Sequence, residues 1–213
     1  IAGVAGNGQS ELIEVLAGLH HTTAGTVQLF GKTLVPDPAQ LFEAGVAHIP
    51  EDRIRMGTVP TMSVAENLAL RRFEHAPLAK GMMRDQKALE EHAINKIRAF
   101  DIKTPSPSTT CKSLSGGNIQ KVIIARELED KTKLILAVHP TYGLDIGATD
   151  AVHLLLLERT KQGTALLVVS EDLEELLSLC DHIAVLYHGE LKGPFAVSEI
   201  SREQIGLYMT GGA

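Results

Sequence analysis

The chain has 213 residues, 44% hydrophobic and 22% charged, enough apolar material for one buried core and too much for wholesale disorder. Its 20 Lys and Arg against 26 Asp and Glu leave a net charge of −6, which argues against a nucleic-acid partner held by a basic stripe. No apolar run reaches the roughly 18 residues that cross a bilayer, Ile1 to Gly6 carries no basic-then-apolar leader, and Cys111 and Cys180 lack metal-ligand spacing and read as buried, reduced thiols of a cytoplasmic protein.

In chain order, Ile1-Ala2-Gly3-Val4-Ala5 reads as the end of a strand and Ser10 to Ala17 as the helix that follows. A chain that opens inside a strand is expected to be an N-terminally truncated fragment with earlier strands upstream. Thr26 to Phe30 alternates like a half-buried strand and stops at Gly31. A short helix fits Pro38 to Ala44, and Val46 to Ile49 reads as a strand ended by Pro50. From Glu51 to about Asp130 the charges rise and helical periodicity dominates. Ser63-Val64-Ala65-Glu66 has the form of a capping box, and Asp85 to Phe100 supports a helix. Thr104 to Thr110, with Pro105 and Pro107, is a loop, and a helix is expected over 118–130. The α/β rhythm then returns, with strands at Leu134–Val138, Ala165–Val169 and Ile183–Tyr187 and helices at Thr149–Lys161 and Leu173–Leu179. Gly189-Glu190-Leu191 reads as a hairpin turn, and Ser198 to Gly212 as a helix fading into a flexible end. Apolar strands alternating with helices predict an α/β fold with a mainly parallel sheet. The core is expected over 1–52 and 131–213, with an inserted α-helical subdomain at about 53–130.

Chemistry enters at Gly3-Val4-Ala5-Gly6-Asn7-Gly8-Gln9-Ser10, which follows a strand and opens a helix. This fits the P-loop pattern except that Gln9 stands where Lys is expected. The glycines let backbone N–H groups curl around phosphate, and the helix N-terminus adds positive potential. Gly3, Gly6, Asn7, Gly8, Gln9, Ser10 and Glu11 are the candidate nucleotide-binding residues, with the Ser10 hydroxyl as a candidate Mg2+ ligand. Gln9 can donate a hydrogen bond but brings no charge. A dinucleotide fingerprint would need Gly or Ala at Glu11, and a Gly-rich turn without ligand is the other alternative.

Leu114-Ser115-Gly116-Gly117-Asn118-Ile119-Gln120-Lys121 is more specific. It resembles the signature motif of ABC-transporter ATPases. Pro50-Glu51-Asp52-Arg53 is similar to the Q-loop region in the form found in simple-sugar and nucleoside importers, with Glu51 in place of Gln. Gly143-Leu144-Asp145 resembles the D-loop. Nearly the whole chain is covered, and the likeness is to the C-terminal, second nucleotide-binding domain of a tandem importer ATPase. It implies a P-loop NTPase fold of the ABC ATPase type, with ATP and Mg2+ as cofactors. It also implies that Leu114, Ser115, Gly116, Gly117 and Asn118 act in trans, completing the ATP site of a second ABC ATPase domain, with Asp145 reaching across the interface. The remaining partners so implied are a membrane permease, met by the helical subdomain and Q-loop, and indirectly a periplasmic or lipoprotein substrate-binding protein; the place implied is the inner face of the cell membrane. The resemblance makes Glu51 a further candidate nucleotide-binding residue, with an exposed loop acid as its alternative reading, and Arg53 and Arg55 read as a solvated basic loop.

The same resemblance exposes departures from the family's pattern. The strand that should end Asp-Glu-Pro ends Val138-His139-Pro140. Val138 stands where an Asp supports Mg2+, and His139 where a Glu polarises the attacking water. Val169-Ser170-Glu171-Asp172 is similar to the switch segment, with Glu171 in place of His. His139, with an ordinary pKa near ~6.5, is the residue left to act as a base, a hydrogen-bonded structural His being the alternative. The Glu171 carboxylate is expected to repel phosphate. Gln9, Val138, His139 and Glu171 all belong to one site, so this domain is expected to hold nucleotide weakly, or without hydrolysing it. A slow autonomous homodimeric ATPase and a non-hydrolytic nucleotide sensor or scaffold are the competing readings.

Overall fold

Local caps and turns decide where each element begins. In the computed structural model, which describes residues 1–34, 37–73, 75–80 and 83–212, α1 (Gln9–Leu16) starts after Gly8. The strand β1 (Val27–Leu29) is followed by β2 (Lys32–Leu34), an antiparallel partner joined through Phe30 and Gly31 at φ 49° and 77°. The helix α2 (Pro38–Ala44) has the predicted bounds because Asp37 accepts the N–H groups of Ala39 and Gln40 at 3.0 Å each, and Gly45 at φ 93° ends it. There a Cβ would come within 2.5 Å of the Lys131 carbonyl oxygen, so the turn into β3 (Val46–Ile49) requires glycine. The Ser63–Glu66 capping box forms and starts α3 (Val64–Ala69). After the short antiparallel pair β4 (Ala79–Lys80) and β5 (Met83–Arg84), Asp85 caps α4 (Gln86–Ala99). Ser115 caps α5 (Gly116–Glu127), which therefore begins two residues before the expected start at 118. The remaining elements are β6 (Leu134–Val138), α6 (Ile146–Lys161), β7 (Ala165–Val169), α7 (Leu173–Leu179), β8 (His182–Tyr187), β9 (Glu190–Ala196) and α8 (Arg202–Met209).

The chain divides into two compact units. The first comprises Ile1–His48, Lys131–Pro140 and His153–Ala213. Here β6 lies between β3 and β7 and pairs in parallel with β7, Leu134 opposite Ala165 through Val138 opposite Val169. The start of the chain makes a single bridge residue where a strand end was expected. Ala2, fully buried, pairs in parallel with Ser170 on one side and Val185 on the other. Among the described residues this unit holds an apolar cluster of Ala17, Leu41, Val46 and Leu136 and another of Ile13, Val138 and Val169. The strands β8 and β9 form a hairpin turned at His188 and Gly189 with φ 48° and 78°, so Glu190 and Leu191, expected in the turn, instead pair with Tyr187 and Leu186, and α8 packs on β8.

The second unit comprises Ile49–Asp130 and Thr141–Val152, and α3 packs there against α4 and α5. Buried polar groups carry much of its order. The fully buried Asn67 accepts the Val59 N–H at 2.8 Å and donates to the carbonyls of Val59 and Ser63, both at 3.0 Å. Glu127, buried in α5, receives Arg71 at 2.5 Å and Arg126 at 2.8 Å, and Arg126 also donates to the Gly57 carbonyl at 2.8 Å. Such a set is costly to break singly, because the survivors are left charged and buried. Cys111 is buried here and Cys180, in the first unit, is only half-buried; burial pushes both thiols up from their ordinary range. Among the described residues no helix is long and apolar enough to cross a membrane.

Candidate functional site

In the first unit the loop before α1 is folded around its own side chains. Gly3 cannot carry a side chain, since a Cβ would stand 2.4 Å from Nε2 of Gln9 and 2.7 Å from the Leu186 carbonyl oxygen. The chain then turns through Gly6 and Gly8 at φ 85° and 107°, values that favour glycine. Gln9, only 7% exposed, spans the loop: Nε2 donates to the Val4 carbonyl at 2.9 Å, and Oε1 accepts the Asn7 N–H at 3.2 Å. Asn7 donates to the same carbonyl at 2.8 Å and accepts the His188 N–H at 2.9 Å, while its own carbonyl takes the Gly189 N–H at 3.0 Å. Among the described residues no side chain caps α1, and Ser10 and Glu11 lie in its first turn, with Ser10 exposed. The Ala5 N–H donates to Oε1 of Glu171.

Val138 is 6% exposed and packs with Ile13 of α1 and Val169 of β7. His139 follows, half-buried at φ 44°, and its N–H continues the ladder to the Val169 carbonyl at 2.8 Å. Glu171 lies just beyond β7, exposed. The first unit therefore brings the glycine loop, the end of β6 and Glu171 to one place. Among the described residues no group of three or more His, Cys, Asp or Glu could hold a metal ion.

The second unit holds the other candidate residues. Ser115 is exposed at the start of α5, and its Oγ accepts from Nδ2 of Asn118 at 2.9 Å and from the Asn118 N–H at 3.5 Å. Oδ1 of Asn118 accepts the Lys103 N–H at 2.7 Å, which fixes the loop against the preceding segment. Leu114 links this turn to the 3-10 turn at Cys111–Ser113. A Cβ on Gly117 would come within 2.9 Å of the Ala148 Cβ, and one on Gly116 within 3.3 Å of the Arg53 guanidinium. Arg53 is the residue that sequence reasoning missed. It is no solvated loop cation, because Nη1 donates to the Tyr142 carbonyl at 2.7 Å and Nη2 to the Gly143 carbonyl at 3.4 Å. Nothing local in the sequence marks it, since its partners lie 89 and 90 residues away. Arg55 does stay exposed, 3.8 Å from Asp52. The N–H groups of Arg55, first, and Ile54 hold the Asp52 carboxyl below the usual carboxylate range. Glu51 is exposed beside them. Asp145 caps α6, accepting the Ala148 N–H at 2.9 Å. Within this unit Arg53 thus lies beside Gly116 and holds the backbone at Tyr142 and Gly143.

A family model described as ABC transporter matches residues 1–142. The chain belongs to the ABC transporter family. It is 37% identical over 213 residues to the nucleoside import ATP-binding protein NupA of Lactococcus lactis subsp. cremoris, covering 100% of this chain and 42% of that protein. It is 40% identical over 215 residues to the glucose import ATP-binding protein TsgD13 of Haloferax volcanii, covering 100% of this chain and 39% of that protein. The chain thus spans about two fifths of the length of these curated relatives. Among solved structures, the dimeric cassette MJ0796 in a post-hydrolysis state bound to ADP and Pi matches with a TM-score of 0.76 at 22% identity, over 92% of this chain and 83% of that one. A nucleotide-free ATP-binding cassette from an ABC transporter matches with a TM-score of 0.77 at 23% identity, over 98% of this chain and 82% of that one. These likenesses place the fold as the P-loop α/β type with a parallel sheet. Membership implies ATP with Mg2+ as the family's cofactors.

In the loop before α1 the Ala5 N–H is held by the Glu171 carboxylate and the Asn7 N–H by the Gln9 amide, and the end of β6 is the buried Val138.

Proposed function

We propose that this cassette is the nucleotide-binding domain of an ABC importer for a simple sugar or nucleoside. On this reading, residues 1–213 make one ABC ATPase domain with the helical signature subdomain at about 53–130, placed second and C-terminal in a tandem ATPase. Its own site is degenerate, and its signature acts on the ATP held by a partner domain. The relatives' names support the cargo class, and a match to about two fifths of their length leaves room in them for two such domains. One observation carries the reading: the signature turn is complete and its Ser115 faces solvent, whereas Gln9, Val138, His139 and Glu171 deprive the local site of charge, metal support and base. At the start of α5 the N–H groups of Gly116 and Gly117 and the Ser115 hydroxyl offer donors to an external phosphate. ATP with Mg2+ supplies the free energy of transport; this chain's part is to bind and orient the partner's phosphates. A permease at the membrane's cytoplasmic face would take up the resulting closure, and a substrate-binding protein would act through it.

The test is ATP turnover by the cassette with its partner domain, comparing wild type with Ser115→Arg and running the cassette alone beside them. A silent cassette, an active pair and loss of turnover with Ser115→Arg is the expected result. Turnover by the cassette alone would favour an autonomous enzyme, and paired turnover indifferent to Ser115 would favour a scaffold.

A further inference from the structure

A glycine loop that opens a helix concentrates backbone N–H groups and attracts an anion. The helices α2, α3, α4, α5, α7 and α8 satisfy such groups with a neighbouring Asp or Ser: Asp37, Ser63, Asp85, Ser115, Asp172 and Ser201. The helix α1 has no side-chain cap of this kind. The anion on its loop instead comes from 166 residues away, where Glu171 accepts the Ala5 N–H.

The surroundings of Glu171 hold it there. On one side the Ser170 N–H donates to the Ile1 carbonyl at 3.1 Å, and Ser170 bridges to Ala2, so the end of β7 is fixed beside the start of the loop. On the other side Asp172 donates its N–H to Oγ of Ser170 at 3.1 Å, and its carboxylate accepts the Glu174 N–H at 2.8 Å. Both neighbours are committed, and the side chain between them reaches the loop. Gln9 completes the arrangement by taking the Asn7 N–H at 3.2 Å, a neutral amide where a cation would draw phosphate in.

We infer that Glu171 is a built-in anion seated on this cassette's phosphate loop, so that a nucleoside triphosphate enters only by displacing it. This rests on the loop being an ATP phosphate loop. Glu171 is exposed, so displacement needs no unfolding, and binding at this site becomes a competition between two anions for the Ala5 N–H. The local site is then held shut by the chain itself as well as weakened by missing residues.

The experiment measures MgATP affinity of the full chain by calorimetry, and exchange of the Ala5 amide by nuclear magnetic resonance, in wild type, Glu171→Ala and Glu171→Gln. Glu171 is exposed, so both variants are expected to fold. The expected result is MgATP bound at least about tenfold more tightly by both variants, with faster Ala5 exchange in Glu171→Ala. Unchanged Ala5 exchange would overturn the contact. Freed Ala5 without tighter MgATP binding would overturn the competition, and a Gln variant as weak as wild type would overturn its anionic basis. Failure of the trans-acting signature shows elsewhere, as paired turnover indifferent to Ser115→Arg, which neither of these readouts can produce.

Discussion

The loop before α1 and the loop before α5 both thread glycines into a helix N-terminus, yet their polar groups are satisfied from different distances. Ser115 caps α5 from the adjacent position, and the Ser115–Asn118 pair leaves that turn self-supporting and exposed. The loop at α1 draws its anion from Glu171 and folds Gln9 and Asn7 back onto the Val4 carbonyl. A turn capped by its neighbour can present its remaining donors outward. One stabilised by distant side chains has already used some of them.

Substitutions in and around the two loops put that contrast to the test. The largest effect on activity is expected from Gly117→Val, whose branched side chain has only 2.9 Å from its Cβ position to the Ala148 Cβ. Displacing the signature donors should cost the paired ATPase about 100-fold in turnover, in line with loss of a positioned oxyanion donor. Next comes Glu127→Ala, which removes the buried carboxylate that Arg71 and Arg126 share and an anchor of α5. Urea denaturation should show the second unit weakened by about 3–5 kcal/mol, with MgATP affinity at the α1 loop little changed if the two loops are energetically separate. Arg53→Ala should reduce paired turnover by about tenfold through loss of its charged hydrogen bonds to the Tyr142 and Gly143 carbonyls, a size set by the usual worth of such bonds. Arg53→Lys should rescue it only in part, since one ammonium replaces a planar fork.

The smallest effect is on pH dependence. Burial, with Lys96 and Arg72 nearby, holds the His92 imidazole below the ordinary histidine range, Glu129 and the Leu68 backbone opposing them, and its Nε2 is buried without a hydrogen-bond partner among the described residues. With the folded pKa below the unfolded one, the unfolded chain takes up the proton first, and stability falls as pH drops below about 6.5. Urea midpoints between about pH 7.5 and about pH 5 should decline less in His92→Leu than in wild type.

What the sequence makes legible follows from how locally each feature is encoded. The helix at Pro38–Ala44 and the capping box at Ser63 have their caps within three residues, and the buried strand Leu134–Val138 is a single apolar run, so all three are readable directly. The strand at Lys32–Leu34 is not, because it is three residues long and its turn, Phe30-Gly31, lacks the usual Asn-Gly or Asp-Gly cue. The site divides the same way. Its glycines, the Gln9 substitution and the valine at 138 are visible in order along the chain. The seat of Glu171 on Ala5 and the grip of Arg53 on the Gly143 turn join segments 166 and 90 residues apart, and no spacing rule reaches that far.

The tie between Asn7 and the β8–β9 turn has a mechanical consequence. Asn7 accepts the His188 N–H at 2.9 Å through its side chain and the Gly189 N–H at 3.0 Å through its carbonyl, so the glycine loop is hinged on the tip of that hairpin. The hairpin is a stiff lever whose seven-residue strand β9 extends about 20 Å, and its body is clamped to α8 by the stacking of Phe195 on Tyr208 at 5.7 Å. A change of loop shape at Asn7 therefore bears directly on the hairpin tip, and a fluorophore on the exposed Glu190 is placed to report it.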